Sequence, residues 1–205
     1  MAGTLLARAL LAEIMDVLGL ESAIAGSEPL HPSGLTRHRV QLVVTPVGPW
    51  IAQGYHSSVL IDSTEYSFSD RGITKVEGGP KSHSAFTEEE SDSTFIDYGW
   101  HDVDIAALEV ALKPHFAPGS YDLLQKNCNS FSDTILQLVT GRRLDKQYRQ
   151  LEEIGRQAEW QLRLLHAYAP NPRASGFDAC ATAGMCRAAV AMSPAADMDV
   201  EPTCC

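Results

Sequence analysis

The sequence predicts an α+β fold, an antiparallel sheet with packed helices. Two observations carry this. Between residues 39 and 98 the apolar residues fall in short runs rich in Val, Ile, Tyr and Phe, bounded by Pro, Gly, Asp and Ser; from residue 104 onward they recur at helical spacing. Strands gathered first and helices afterwards describe this class rather than an alternating chain with a parallel sheet. The 205 residues, 44% apolar and 20% charged, suffice for one ordinary domain with extensions.

Taken in order, Leu5, Leu6, Ala9, Leu10, Ile14, Val17 and Leu18 share one helical face, which predicts an amphipathic helix over 4–20. Pro29 and Pro32 mark a loop after it. Residues 40–44 predict a first strand ended by Pro46, Gly48 and Pro49, residues 55–61 a second and 65–68 a third, with Asp62, Ser63 and Thr64 as a hairpin turn. Residues 74–92, rich in Gly, Ser and Glu, read as a solvated excursion, and 93–98 as a further strand. Residues 104–112 predict a helix stopped by Pro114. Past the Pro118–Gly119 turn, Tyr121, Asp122, Leu123 and Leu124 lead to a polar loop and a helix-like run that stops at Gly141. A long charged helix is expected over 145–166, with Leu151, Ile154, Leu162 and Leu165 on an apolar stripe. Beyond Pro170 no pattern is sustained, and 170–205 is expected to be mostly disordered.

The formal net charge of −10 argues against nucleic acid or anionic membrane as a partner of the whole surface. Five cysteines, one in the body and four toward the C-terminal end, make no disulfide framework and suit a reducing, cytoplasmic or also nuclear, compartment. No paired C-x-x-C spacing suggests a metal, and no cofactor motif is present. Arg8, Glu13 and Asp16 interrupt the apolar opening, which weighs against a secretory or transit signal, and no uncharged run has the length of a membrane span.

Chemistry centres on Lys126-Asn127-Cys128-Asn129-Ser130-Phe131. Asn127, Asn129 and Ser130 are residue types that cap helix starts, so Cys128 falls where a loop becomes a helix. The macrodipole there favours a thiolate, the nucleophilic form; the same position also fits a buried structural cysteine. A thiol nucleophile needs a base. Of seven histidines, His31 and His38 lie in or beside the N-terminal loop, His83 in the polar excursion, His101 and His115 beside a helix and His166 at the end of another. Only His56 stands inside a strand-forming apolar run, where a sheet would fix its ring; a lone histidine in such a run is more often structural than catalytic.

Tyr55-His56-Ser57-Ser58-Val59 followed by Asn127-Cys128-Asn129-Ser130-Phe131 resembles the PPPDE family, permuted papain-fold peptidases that include the desumoylating isopeptidases. Phe68 with Gly72-Ile73, the Tyr121-Asp122-Leu123 approach and Leu138-Val139-Thr140-Gly141 are similar too, so the resemblance covers about residues 38–146. It implies a permuted papain-like fold and a dyad of Cys128 as nucleophile and His56 as general base, in the reverse chain order of papain. It implies no residue that orients His56; the Cys128 N–H is a natural oxyanion donor, while Asn127 and Asn129 serve as donors or as caps. Asp70-Arg71 stands where the family tends to have glycine, Asp122 where Asn is usual and Asp145 where Pro is usual.

The expected organisation is an N-terminal helix and loop (1–36), a thiol peptidase domain (37–146), a C-terminal helix (147–169) and a cysteine-containing tail (170–205). The resemblance implies a cysteine isopeptidase that removes ubiquitin or SUMO from lysine on conjugated proteins. The alternatives are an acyl-protein thioesterase with the same dyad, or a non-catalytic module that binds a ubiquitin-like modifier. Whether the chain forms a homodimer stays open. Membrane attachment would require lipidation of Cys180, Cys186, Cys204 or Cys205.

Overall fold

The computed structural model describes residues 36–49, 53–86 and 92–192. The helix expected over 4–20, His31, Cys204 and Cys205 lie outside the described residues. The chain divides into two compact units, Met1–Arg37 and His38–Cys205, and the second holds the site.

Five strands form one sheet: β1 (Arg37–Val47), β2 (Gly54–Ile61), β3 (Thr64–Ser69), β4 (Gly72–Glu77) and β5 (Thr94–Asp102), in the order β4-β3-β2-β1-β5. Strands β1 to β4 form an antiparallel meander. At the β2–β3 turn Asp62 adopts φ 56, and its carboxylate accepts the Arg39 N–H at 2.9 Å. An aspartate tolerates that left-handed conformation because its short side chain can satisfy nearby donors.

Register sorts the central strands into two faces. Leu42 pairs with Val59 and Val59 with Tyr66, while Thr45 pairs with His56 and Leu60 with Glu65. Side chains alternate along a strand, so Leu42, Val44, Ser57, Val59 and Tyr66 share one face, and Thr45, His56, Ser58 and Glu65 share the other. The first face packs on α2 (Cys128–Val139), whose Phe131, Ile135 and Leu136 are fully buried. Phe116 joins this core edge-to-face with Phe68 at 5.0 Å and with Phe131 at 4.9 Å.

The second face is covered by a 3-10 turn, Lys81–Ala85, with His83 2% exposed. This corrects the reading of 74–92 as a solvated excursion in two respects, a strand at its start and a buried histidine, while most of its described residues are exposed. Residues 72–77 are strand β4, paired with β3 along its whole length; in the turn after it His83 is buried and bonded to Thr45 and Ser58, and half-buried Ser82 is bonded to Glu65, while Lys81, Ser84 and Ala85 stay exposed.

The remaining helices are α1 (Ile105–Leu112), α3 (Gln150–Gln157), α4 (Glu159–Leu164) and α5 (Ala179–Met192). The single helix expected over 145–166 is a 3-10 turn, Lys146–Arg149, followed by α3 and α4, divided at Ala158. Its expected apolar stripe does not face the core: Ile154 is 60% and Leu165 73% exposed. Glu152 is buried instead, and bare Gly155 lets α3 lie against Leu124, where a Cβ would sit 2.5 Å from Leu124 Cδ2. The expected disorder from 170 is corrected as far as residue 192. Helix α5 packs on α1 and α2, with Ala183 2% exposed and Cys186 fully buried. Small side chains permit that close approach while giving the sequence little hydrophobic contrast. No helix among the described residues is long and apolar enough to cross a membrane.

Candidate active site

Helix α2 begins at Cys128 because Asn127 caps it. Asn127 Oδ1 accepts the Ser130 N–H at 2.9 Å, and Ser130 Oγ accepts the Asn127 N–H at 3.3 Å. Asn127 Nδ2 donates to Leu123 O at 2.8 Å and to Glu152 Oε1 at 2.9 Å. On the other side of the cysteine, Asn129 Nδ2 lies within hydrogen-bond distance of Tyr55 O (2.9 Å), Tyr148 O (3.0 Å) and Glu152 Oε1 (2.5 Å). Its Oδ1 accepts the Ser57 hydroxyl at 2.7 Å, which ties α2 to β2. Both amides are therefore committed to holding the loop, and the role of oxyanion donor left open for them falls away. The Cys128 N–H stands among the first donors of the helix, which have no acceptor within it.

Cys128 is 6% exposed. Burial pushes its pKa up, and the Glu152 carboxylate adds to that rise. The Ser57 and Asn129 N–H groups and the Tyr121 hydroxyl point at the sulfur and oppose it without winning. The helix start therefore does not yield a resting thiolate, contrary to the expectation from the macrodipole. Desolvation outweighs it.

The histidine wall is built on the other sheet face. His56 Nε2 lies 2.9 Å from Ser82 Oγ. Ser82 Oγ donates to Glu65 Oε1 at 2.6 Å and Ser82 N donates to Glu65 Oε2 at 2.9 Å. Since the serine proton is given to the carboxylate, Ser82 Oγ receives the Nε2–H of His56. That fixes the tautomer and leaves Nδ1 as the acceptor. Beside it, His83 Nδ1 lies 2.6 Å from Thr45 Oγ1 and Nε2 lies 2.9 Å from Ser58 Oγ. Burial, then the neighbouring His83, lower the His56 pKa to about 4 against a smaller upward pull from Glu65; burial lowers that of His83 to about 4. Both rings are neutral at neutral pH, so the 3.8 Å approach of His83 Nε2 to Glu65 is not an ion pair.

His56 and Cys128 line the same cavity, of about 360 Å³. Gly48 and Gly54 lie along it with Leu123, Leu124 and Leu151, and Glu152 and Tyr121 reach it beside the cysteine. Among the described residues no other histidine lines it: His38 bonds Asp62 at 2.6 Å, and His101 lies 3.0 Å from Tyr98 O. Sequence reasoning missed Ser82, Glu65, Tyr121 and Glu152; a Glu inside a predicted strand was the one available signal, since an acid on a buried strand needs a partner. Asp122, the departure from Asn, is 3% exposed. It accepts from Leu124 N, Gln125 N, Asn171 N and the Tyr168 hydroxyl at 2.7–2.9 Å. Burial raises its pKa, but these donors outweigh burial and hold it below the usual carboxylate value.

A buried thiol at a helix start and a strand-borne imidazole thus line one cavity. The chain matches the PPPDE putative peptidase domain over residues 33–167 and belongs to that family, of peptidase-type hydrolases. The match extends through α3 and most of the segment after it, beyond the 38–146 stretch carried by the two motifs. No curated protein matches the chain. Among the described residues no group of three or more His, Cys, Asp or Glu is placed to hold a metal ion.

Proposed function

We propose that the protein is a cysteine isopeptidase that hydrolyses the bond between the C-terminal carboxyl of a ubiquitin-like modifier, ubiquitin or SUMO, and a lysine amine. The observation that carries this is the fixed tautomer of His56 in the cavity of Cys128. With Nε2 held by Ser82, Nδ1 is the free base. His56 Nδ1 takes the thiol proton as Sγ attacks the carbonyl carbon. The Cys128 N–H and the Tyr121 hydroxyl are the donors at hand for the developing oxyanion. Collapse breaks the C–N bond, and His56 returns its proton to the departing lysine amine. Water then attacks the thioester, His56 takes a proton from it, and the free acid and thiol are released. A resting pair of neutral thiol and neutral imidazole suits this path, because the proton moves only when substrate has excluded water. Gly48 and Gly54 along the cavity support a small-residue tail as the acyl donor.

The apolar lining from Leu123, Leu124 and Leu151 favours a second reading, hydrolysis of a protein thioester bearing a fatty acyl chain by the same dyad. A binding module without turnover is disfavoured by the retention of both Cys128 and His56. The test is incubation of the full chain with ubiquitin and SUMO probes that end in a thiol-reactive group, beside a long-chain acyl thioester substrate. Covalent capture of a modifier at Cys128, absent in Cys128→Ala, supports the isopeptidase. Thioester turnover without capture would replace it by the thioesterase.

A further inference from the structure

Glu152 is a buried carboxylate with work for only one of its oxygens. It is 9% exposed and lines the cavity beside Cys128. Oε1 receives the side-chain amides of both Asn127 and Asn129, the two residues that flank the nucleophile. Oε2 has no hydrogen-bond partner among the described residues, although it is buried. A carboxylate is acceptor-only, and burying one lone-pair site without a donor is unfavourable. The position does not help the thiol either, because Glu152 raises the Cys128 pKa. A charge kept where it is both unsatisfied and adverse to the nucleophile is accounted for when the missing donor arrives with substrate.

We propose that Glu152 Oε2 is a substrate subsite that accepts a backbone N–H of the acyl-donor chain, next to the carbonyl attacked by Cys128. This rests on the reading of the protein as a cysteine peptidase and names what it recognises. A peptide presents such an N–H within a residue of its scissile carbonyl. A fatty acyl chain presents only C–H, and would leave the carboxylate buried and unpaired. Glu152 is thus a specificity determinant that selects peptidyl over lipidic acyl groups in a cavity whose walls are otherwise apolar.

Two short probes test this on the full chain. Both end in Gly-Gly bearing a vinyl methyl ester that adds to a thiol. In one the backbone amide nearest the reactive group is intact; in the other it is replaced by an ester, which removes the N–H without adding bulk. Iodoacetamide, which needs only the thiol, reports Cys128 when alkylation is read by mass on the peptide that carries it, because the chain holds four other cysteines. Wild type should capture the amide probe about 10- to 100-fold faster than the ester probe, the range of one hydrogen bond to a charged group. Glu152→Gln is isosteric: its carbonyl still serves Asn127 and Asn129, while an NH2 replaces Oε2. In that variant the preference should vanish, with iodoacetamide labelling retained. Wild type capturing both probes equally overturns the subsite and leaves the peptidase standing, whether or not Glu152→Gln folds. An unchanged preference in Glu152→Gln overturns it as well, and makes Glu152 only a clasp for the two asparagines. Labelling by iodoacetamide with capture of neither probe removes the peptidase reading together with the subsite.

Discussion

Two glutamates stand behind the two walls of the cleft. Glu65, behind His56, is 1% exposed, and Ser82 alone satisfies both its oxygens, through its hydroxyl and its N–H. Glu152, behind Cys128, is buried comparably, yet two amides crowd one oxygen and none meets the other. A saturated acid can only hold its neighbours in place. An unsaturated one still has an interaction to make. The difference teaches that the histidine wall is finished scaffolding, whereas the cysteine wall is completed by what it binds.

The sharpest way to break the comparison is to remove the reacting groups. Cys128→Ala should have no measurable turnover on any substrate the wild type cleaves, followed by release of modifier from a lysine conjugate; retained turnover would move the nucleophile elsewhere. His56→Ala should lower kcat by about 10²–10⁴-fold, the usual worth of a positioned base. Since His56 must be neutral to accept a proton, kcat/KM of the wild type should fall as pH drops through about 4, where the imidazole becomes charged. An acid limb near 6.5 would contradict a desolvated ring.

Glu65→Gln probes the finished wall. One bond to Ser82 survives and one is lost, so kcat should fall by about tenfold or somewhat more, with KM little changed. Glu65 raises the His56 pKa, so its neutralisation should move the acid limb to lower pH. A rise in KM with kcat intact would instead make Glu65 a binding residue, and the contrast between the two acids would collapse.

Smaller effects fall on stability. His56 and His83 are buried neutral with pKa values near 4, whereas in the unfolded chain they titrate near 6.5. The unfolded state therefore binds more protons between those values, and stability should be lost as pH falls from about 6.5 to 4. A few kcal/mol is the expected order for the pair, read by urea denaturation at pH 7, 5.5 and 4.5. A flat profile across that window would show the rings to be hydrated. Truncation after residue 168 should lower Tm by roughly 6–12 °C, because losing the Asn171 contacts and the helix over Cys186 costs on the order of 3 kcal/mol. An unchanged melt would restore the boundary near 168 that the sequence suggests.

The sequence marks the proposed pair His56 and Cys128 better than the residues that support it. His56 lies in a strand-forming apolar run, and Cys128 follows a capping Asn, so both positions carry local signals. Ser82 and Glu65 are separated from each other by 17 residues, and Glu152 from Asn127 by 25. No local pattern links partners so far apart. The burial of His83 within the polar stretch 74–92 is illegible for a related reason: Gly, Ser and His look solvated one by one, and only bonds to Thr45 and Ser58, far away in the chain, bury that ring. Helix α5 escaped notice because alanine and glycine blur the contrast between a buried and an exposed face.

The Asp122 carboxylate has a consequence in time. The loop from Pro118 to Asp122, which leads to the nucleophile, is held by residues that the ribosome makes about fifty positions later. Asn171 Nδ2 donates to Gly119 O and Tyr121 O, its N–H and the Tyr168 hydroxyl donate to Asp122, and Arg173 Nη1 donates to Pro118 O. A nascent chain in which Cys128 and His56 have already emerged still lacks the far half of this clasp. Until residues 168–173 clear the exit tunnel, Tyr121 is not anchored beside the sulfur. On the proposed function, synthesis itself delays the appearance of activity until nearly the whole domain is out. Stalled chains released at increasing lengths should gain capture of a peptide probe in one step as residue 171 emerges. A gain spread evenly from residue 140 onward would show the loop setting on its own.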